Sequence, residues 1–485
     1  MSILLYLVLH SSDFVRGQDA LTDGDFVLRS AGSECIGRLA SLSGTTFLTS
    51  QIKDLVDQVV SNRDPYARAG CALAFGAIYA HVGGLAAGPL LATTVQVLKS
   101  LSADPHPVAH FWALNALARV IDAASLSYAQ FVPGTLGMLL KIYLMDSHER
   151  EGGMSVGNAN LGGECPAYLV VCQVIDAIIN VLGPDIRESS RTRELVLGLV
   201  REFMEEDDES ICVEAIKCIQ HFLMFAPEYI NIPQTVKIFR QHLSSPRRPL
   251  KMASINALYQ LTQKDAFSMS KIGGDALVEE LFGMLDDDYS SVQGVRNVIL
   301  SWLKQTVVYN PSAWIDLCQR IMSRTTASQQ TVDAIAQGRL RDDEGESLNV
   351  GGADLSTSGN VRALGTSRWR TQLFALKCLH IICTTVAESG RKEHLDANFA
   401  RHQDIPMKGL LFTRISDLIR MAFTASTAYV TEIRLEGLVV LKDIIEVNAL
   451  CFTWTNRLVN LYRSLLYHQI LLMMVHYCSN NIRLP

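Results

Sequence analysis

The sequence predicts an all-α chain of antiparallel helix pairs laid one after another. Three observations predict it. An apolar helical motif recurs at a fixed spacing. The junctions before the motif carry helix-starting residues. No stretch alternates apolar and polar residues with period two, so sheet content near zero is expected.

The motif first reads as "VLRSAGSECIGRLASLSG" (Val27–Gly44) and returns as "YARAGCALAFGAIYAHVGG" (Tyr66–Gly84) and "VAHFWALNALARVIDAAS" (Val108–Ser125). It continues as Ile211–Glu228, Leu250–Asp265, Val292–Pro311, Trp369–Ser389 and Glu432–Val447. Aligned on Cys35, Ala72, Ala116, Cys218, Ala257 and Val298, neighbouring copies lie about 37 to 44 residues apart. The gap from Ala116 to Cys218 fits two steps and an insert, with Ala167–Asp185 as the intervening copy. That spacing belongs to HEAT/armadillo repeats, so the fold class expected is a HEAT/armadillo-type α-solenoid.

Each motif is read as the second helix of a pair. Amphipathic first helices precede it at Thr49–Val60, Leu91–Leu101, Arg193–Glu205, Pro233–Leu243, Gly274–Leu285 and Leu411–Phe423. The junctions "NRDPYAR" and "SADPHPVAH" make Asp64-Pro65 and Asp104-Pro105 helix starters. An Asp accepts hydrogen bonds from free first-turn N–H groups, its charge suits the positive end of the dipole, and a following Pro lacks no needed N–H. Gly83-Gly84 is read as the stop of the same helix. Within it, the stripe Ala69, Ala72, Leu73, Gly76 and Ala80 follows helical spacing, and its small residues allow close helix approach. Arg68, just after the helix start, is expected to pair with an acidic junction residue. The acidic runs Glu205–Glu209 and Asp286–Asp288 are read as solvated caps at inter-helix turns, and Gly273–Asp275 as a stop followed by a cap.

These elements divide the chain into a first repeat array over 1–323, with a Gly/Asn-rich loop at 146–164, and a second array over 368–447. Between the arrays, 324–367 is expected to be a disordered, acidic Gly/Ser loop, with a short helix around Val332–Gln337. Residues 448–485 form an atypical tail. Apolar stretches at Ile3–Leu9 and Leu458–Cys478 are not read as membrane segments: the first lacks a basic flank, and Arg463, His468 and His476 interrupt the second.

Composition narrows the function. A formal net charge of −6 disfavours nucleic acid as the main partner. The chain has 11 cysteines and no CxxC pair, so Cys71, Cys172, Cys218, Cys378 and Cys383 are expected to be buried free thiols of a reducing, cytoplasmic protein. Phosphate-loop, dinucleotide-binding, HExxH and GxSxG motifs are absent. His81, His110, His221 and His380 have no carboxylate or cysteine at a fixed offset. No catalytic, cofactor-binding or metal-binding residue is nominated, no cofactor is expected, and the protein is expected not to be an enzyme.

"SNRDPYARAGCALAFGAIYAHVGGLAAG" resembles a segment of the HEAT-repeat-containing protein five family. "RWRTQLFALKCLHIICTTV" and "ISDLIRMAFTASTAYVTEIRLEGLVVLKDIIEV" resemble a later segment of it, in the same order. The likeness runs from about Phe14 to Val447. Its fungal member is the large accessory protein of the clathrin adaptor complex of the trans-Golgi network and endosomes. The resemblance implies a non-catalytic scaffold in endosome-to-Golgi vesicle transport, peripheral on those membranes through the adaptor complex and small accessory subunits. No family binding residue can be assigned to a position here. Family members are much longer, so a fragment or a shortened reading frame is expected, with 1–13 and 448–485 falling outside the family pattern. The alternative is a general α-solenoid adaptor such as a nuclear transport receptor.

Overall fold

The structure is a computed structural model that describes residues 18–152, 167–206, 208–287, 291–336, 368–428 and 430–451. Helices make up all regular structure among the described residues. The chain divides into two compact units, Met1–Ala257 and Leu258–Pro485.

In the first unit α1 spans Phe26–Ser61 and breaks at Gly44, whose φ of 80° and ψ of 177° leave the helical region. It is therefore two helices: a second helix, then the first helix of the next pair. The latter half pairs with α2 (Pro65–Val82), and α3 (Leu91–Leu101) pairs with α4 (Pro107–Ala124). Then come α5 (Val132–Gly152) with α6 (Ala167–Leu182), α7 (Ser190–Met204) with α8 (Glu209–Phe225), and α9 (Ile232–Leu243) with the start of α10 (Arg248–Ile272), whose residues from Leu258 on belong to the second unit. The second helices stack consecutively: α1 on α2, α2 on α4, α4 on α6 and α6 on α8. This is the HEAT solenoid plan, and the copy expected at Ala167–Asp185 is α6 with its following turn. The same stretch is long and apolar enough to cross a membrane, but it is mostly buried within the protein. Ile3–Leu9 and Leu458–Cys478 lie outside the described residues.

Local chemistry explains the boundaries. Asp64 caps α2, its Oδ2 accepting from the Ala67 N–H at 2.9 Å, and Pro65 opens the helix. Gly83 closes it with φ +82°. Gly84 does something else: a Cβ there would lie 2.3 Å from the Ala123 carbonyl oxygen, so this glycine lets α4 pass close by. Almost every residue from Ala67 to Tyr79 is buried, because α1 and α4 cover α2 from two sides. The expected stripe holds through Gly76, but Ala80 is exposed at the helix end. Cys35, the first alignment anchor, is also exposed, and Ile36 takes the buried place in that copy.

Asp104 does not start a helix. α4 opens at Pro107 with His106 as its cap, the ring Nδ1 accepting from the Val108 N–H at 3.3 Å. The Asp104 carboxylate is taken instead by Arg68 of the preceding pair, at 2.9 Å from Nε and 3.2 Å from Nη2. Arg68 thus finds the acidic junction residue expected of it. Asp208 in the first acidic run caps α8 through the Ser210 N–H at 2.9 Å.

In the second unit α11 (Gly274–Asp287) pairs with α12 (Val292–Thr306), and α13 (Pro311–Ala336) with α14 (Trp369–Glu388). A short helix α15 (Ala397–His402) precedes the pair α16 (Ile415–Ser426) and α17 (Thr431–Cys451), and α17 packs on α14. α10 breaks at Asp265, where φ is −152°, and the Asp265 carboxylate caps the following turn through the Ser268 N–H at 2.9 Å.

Two expected loops begin as helix. α5 runs to Gly152, past the start of the 146–164 stretch, and α13 runs to Ala336, past the start of 324–367. The remainders, 153–164 and 337–367, lie outside the described residues. Asp286, read as a solvated cap for the helix just after it, caps α14 instead. Its carboxylate accepts from the Arg370 N–H at 3.2 Å, the Thr371 N–H at 3.0 Å and the Thr371 hydroxyl at 2.6 Å.

Candidate functional site

The second helices of the first unit are joined by a chain of polar contacts. Glu34 of α1 receives His81 of α2 at 2.6 Å and Arg119 of α4 at 3.7 Å. The hydrogen bond from His81 is the main reason the Glu34 carboxyl is held below its ordinary range, against the opposing effect of burial. Asn115 of α4 donates to Gln173 of α6 at 3.1 Å. Asp176 of α6 pairs with His221 of α8 at 2.6 Å. Gln220 of α8 donates to the Ala253 carbonyl of α10 at 3.1 Å. Beside the Asp176–His221 pair, Asp122 titrates at about 6, raised first by burial and then by the Asp176 charge, with His221 opposing.

Three of the four singled-out histidines therefore do have carboxylate partners. His81 and His221 are two, and His380 of α14 with Asp443 of α17, at 2.5 Å, is the third. The reason the sequence hid them is geometric. Each contact crosses from one second helix to a neighbouring one, so its offset reflects repeat length and not helical period. His110 differs. It is buried against the Ser102 carbonyl at 2.5 Å, and burial pushes its ring toward the neutral form.

The arrangement favours cohesion over metal chemistry. Among the described residues no group of three His, Cys, Asp or Glu side chains converges in a way that could hold a metal ion. The five cysteines named from sequence are all buried free thiols, and burial raises each of them, Cys71 and Cys383 to about 12. Such thiols are poor ligands and poor nucleophiles.

The first helices of the second unit are tied by charge. Arg320 of α13 bonds Asp275 and Glu279 of α11 at 2.5 and 3.0 Å, and Arg324 reaches Glu279 at 2.5 Å. Arg414, just before α16, bonds Asp316 of α13 and Asp417 of α16 at 2.5 and 2.8 Å. Beside this lattice lies a cavity of about 610 Å³, walled by the end of α10 with α11, α12 and α13. Sequence reading missed it, because its aromatic side chains come from three separate helical segments and the turn after α12.

Comparison with known proteins bears on both units. A profile of the Laa1/Sip1/HEATR5 HEAT repeat region matches residues 410–451, the stretch holding α16 and α17. Protein SWEETIE of Arabidopsis thaliana is 27% identical over 443 residues, which cover 88% of this chain but only 19% of SWEETIE. The chain thus spans about a fifth of that curated relative's length. Among solved structures, importin beta superposes with a TM-score of 0.52 at 11% identity, covering 92% of this chain and 53% of importin beta. Yeast importin-beta (Kap95p) gives 0.50 at 12% identity, covering 91% of this chain and 47% of its own. At such identity the importin likeness speaks for the α-solenoid fold alone. The profile match over 410–451 and the likeness carried along most of the chain support the resemblance to the Laa1/Sip1/HEATR5 family of HEAT-repeat proteins.

Proposed function

We propose that the chain is a non-catalytic HEAT-repeat scaffold, an accessory factor for clathrin-adaptor-mediated transport between endosomes and the trans-Golgi network. It works in the cytoplasm and reaches vesicle membranes through its protein partners. The observation that carries the reading is the likeness to the Laa1/Sip1/HEATR5 family, together with the resemblance of Ser61–Gly88 and of Arg368–Val447 to family segments in the same order. The physical features are compatible with it. Side chains that often carry chemistry are engaged in holding helices together, as in Glu34–His81 and Asp176–His221. A repeat array offers an extended surface suited to protein partners.

Affinity purification of the tagged full chain from cytosol, followed by mass spectrometry, tests the proposal. Recovery of clathrin-adaptor and small accessory subunits supports it. Recovery of neither, with the Ran GTPase captured instead, favours the nuclear-transport alternative, for which the importin likeness alone is no argument.

A further inference from the structure

Between α9 and α10 the chain reads "SSPRRPL" (Ser244–Leu250). Of the 14 prolines in the sequence, Pro246 alone follows a serine or a threonine. α9 stops at Leu243 and α10 starts at Arg248, so Ser245, Pro246 and Arg247 lie in non-helical backbone. Pro246 helps to keep them there, because its ring disfavours helical backbone at the residue before it. Pro246, Arg247, Arg248 and Pro249 are exposed, and Ser245 is partly exposed. The Ser245 hydroxyl oxygen accepts from the Arg247 N–H at 3.2 Å, and its own proton goes to no acceptor among the described residues.

These are the features that a proline-directed protein kinase reads. Such an enzyme takes its serine on an extended, accessible chain. A proline directly after the serine suits a pocket in which a backbone N–H would be left unpaired, and a basic residue three places after it meets acidic groups on the enzyme. Pro246 and Arg248 hold those two places. Ser244 is more exposed than Ser245 but is followed by serine, so it lacks the proline.

The surroundings also give a phosphate something to hold. Arg247 reaches Glu209, at the start of α8, with 3.0 Å from Nε to the carboxylate, and 64% of its side chain is exposed. A pair this open contributes little, so a dianion two residues away can take the guanidinium over. The first backbone bond into α10 runs from the Lys251 N–H to the Arg247 carbonyl at 3.2 Å. The N–H groups of Arg248 and Leu250 come before it and have no acceptor within the helix, and the helix dipole is positive at that end.

We infer that Ser245 is a phosphorylation site for a proline-directed serine/threonine kinase, and that its phosphate caps α10 and draws Arg247 from Glu209. In the transfer the Ser245 oxygen bonds to the γ-phosphorus of ATP held by the kinase. The bond from that phosphorus to the β–γ bridging oxygen breaks, and ADP leaves. The hydroxyl proton passes to the carboxylate that serves as the kinase's base. The inference does not depend on the scaffold reading.

The test uses the full chain, MgATP and a purified cyclin-dependent kinase with its cyclin. One phosphate per chain is expected, located at Ser245 by tandem mass spectrometry. Ser245→Ala should abolish it, whereas Ser245→Thr and Ser244→Ala should retain it. Pro246→Ala and Arg248→Ala should each slow the initial rate about ten-fold or more, the discrimination that one lost contact can give. None of these positions is buried, so every variant should still melt cooperatively. Phosphorylation should slow hydrogen exchange in the peptide that opens α10 by about three-fold, the order of effect of a negative charge at a helix N-terminus. No incorporation, incorporation unchanged in Ser245→Ala, or an undiminished rate in Pro246→Ala overturns the site. Unchanged exchange at the start of α10 in the phosphorylated chain overturns the capping.

Discussion

Replacing Gly84 with alanine isolates the role of close helix approach. Gly84 is buried at the α2–α4 crossing, and its φ lies in the range that any residue adopts. The added methyl group would sit 2.3 Å from the Ala123 oxygen and 2.6 Å from Ala124 Cα. Both are backbone atoms of α4, so no side-chain rotation relieves the overlap. The end of α4 must retreat by about 1 Å to restore ordinary van der Waals separation. Overpacking of that kind costs about 1–3 kcal/mol, and the rigid partner puts Gly84→Ala at the upper end. Gly83→Ala is the control. Gly83 has φ +82° and ψ 155°, a region that essentially only glycine adopts, but a Cβ there meets nothing within 4 Å, so backbone strain of about 1–3 kcal/mol applies without any clash. Hydrogen exchange on peptides from α2 and α4 reads the local free energy, and thermal melting reads the global effect at about 2–4 °C per kcal/mol for a unit of this size. If Gly84→Ala speeds exchange in the α4 peptides no more than Gly83→Ala does, packing against α4 is not what fixes this glycine.

Ala72→Asp buries a charge at a position with 0% exposure and should cost several kcal/mol, enough to lose the cooperative melt of the first unit. His81→Ala removes a half-exposed pair with Glu34 and should cost about 1 kcal/mol or less in the same melt. Asp286→Ala strips α14 of its cap and should cost about 2 kcal/mol, seen as faster hydrogen exchange in the first turn of α14 and little change in α17. Asp122→Asn tests a titration. The carboxyl is raised from 3.8 to about 6, so the contribution of this group to stability is greatest below pH 4, falls as pH climbs to about 6 and then levels off. Fully expressed, that shift is about 3 kcal/mol, reduced to about 1 kcal/mol by the solvent-exposed side of Asp122. The variant should match wild type near pH 4 and exceed it at pH 7, and parallel melting temperatures across that range would refute the assignment.

What could be read from the sequence divides by range. Helix starts and stops set by neighbours in the chain were legible, as at Asp64 and Gly83, because the capping atoms lie within four residues of the groups they satisfy. The recurring apolar motif gave the second helices, since each must bury small side chains against two neighbours. The first helices α5 and α13 were missed. α5 contains Pro133, Gly134 and Gly137, and the end of α13 is "TTASQQTVDAIA", with too few apolar residues to show a stripe. The breaks at Gly44 and Asp265 carry no local signature apart from one residue each. Partners across repeats were not legible at all. Asp104 looked like a cap and serves Arg68, and Asp286 looked like a local cap and serves Thr371. The aromatic cavity belongs to the same class, because Phe267, Trp302, Tyr309 and Trp314 meet only after three helical segments have packed.

The hold of Asp286 on α14 has an evolutionary corollary. The start of α14 is held by a carboxylate three helices upstream in its own unit. Whatever joins Ala336 to Arg368 can lengthen, shorten or change composition between species without moving the start of the next repeat, because loop length alters closure free energy only slowly. The same seam is a natural place to graft a reporter tag.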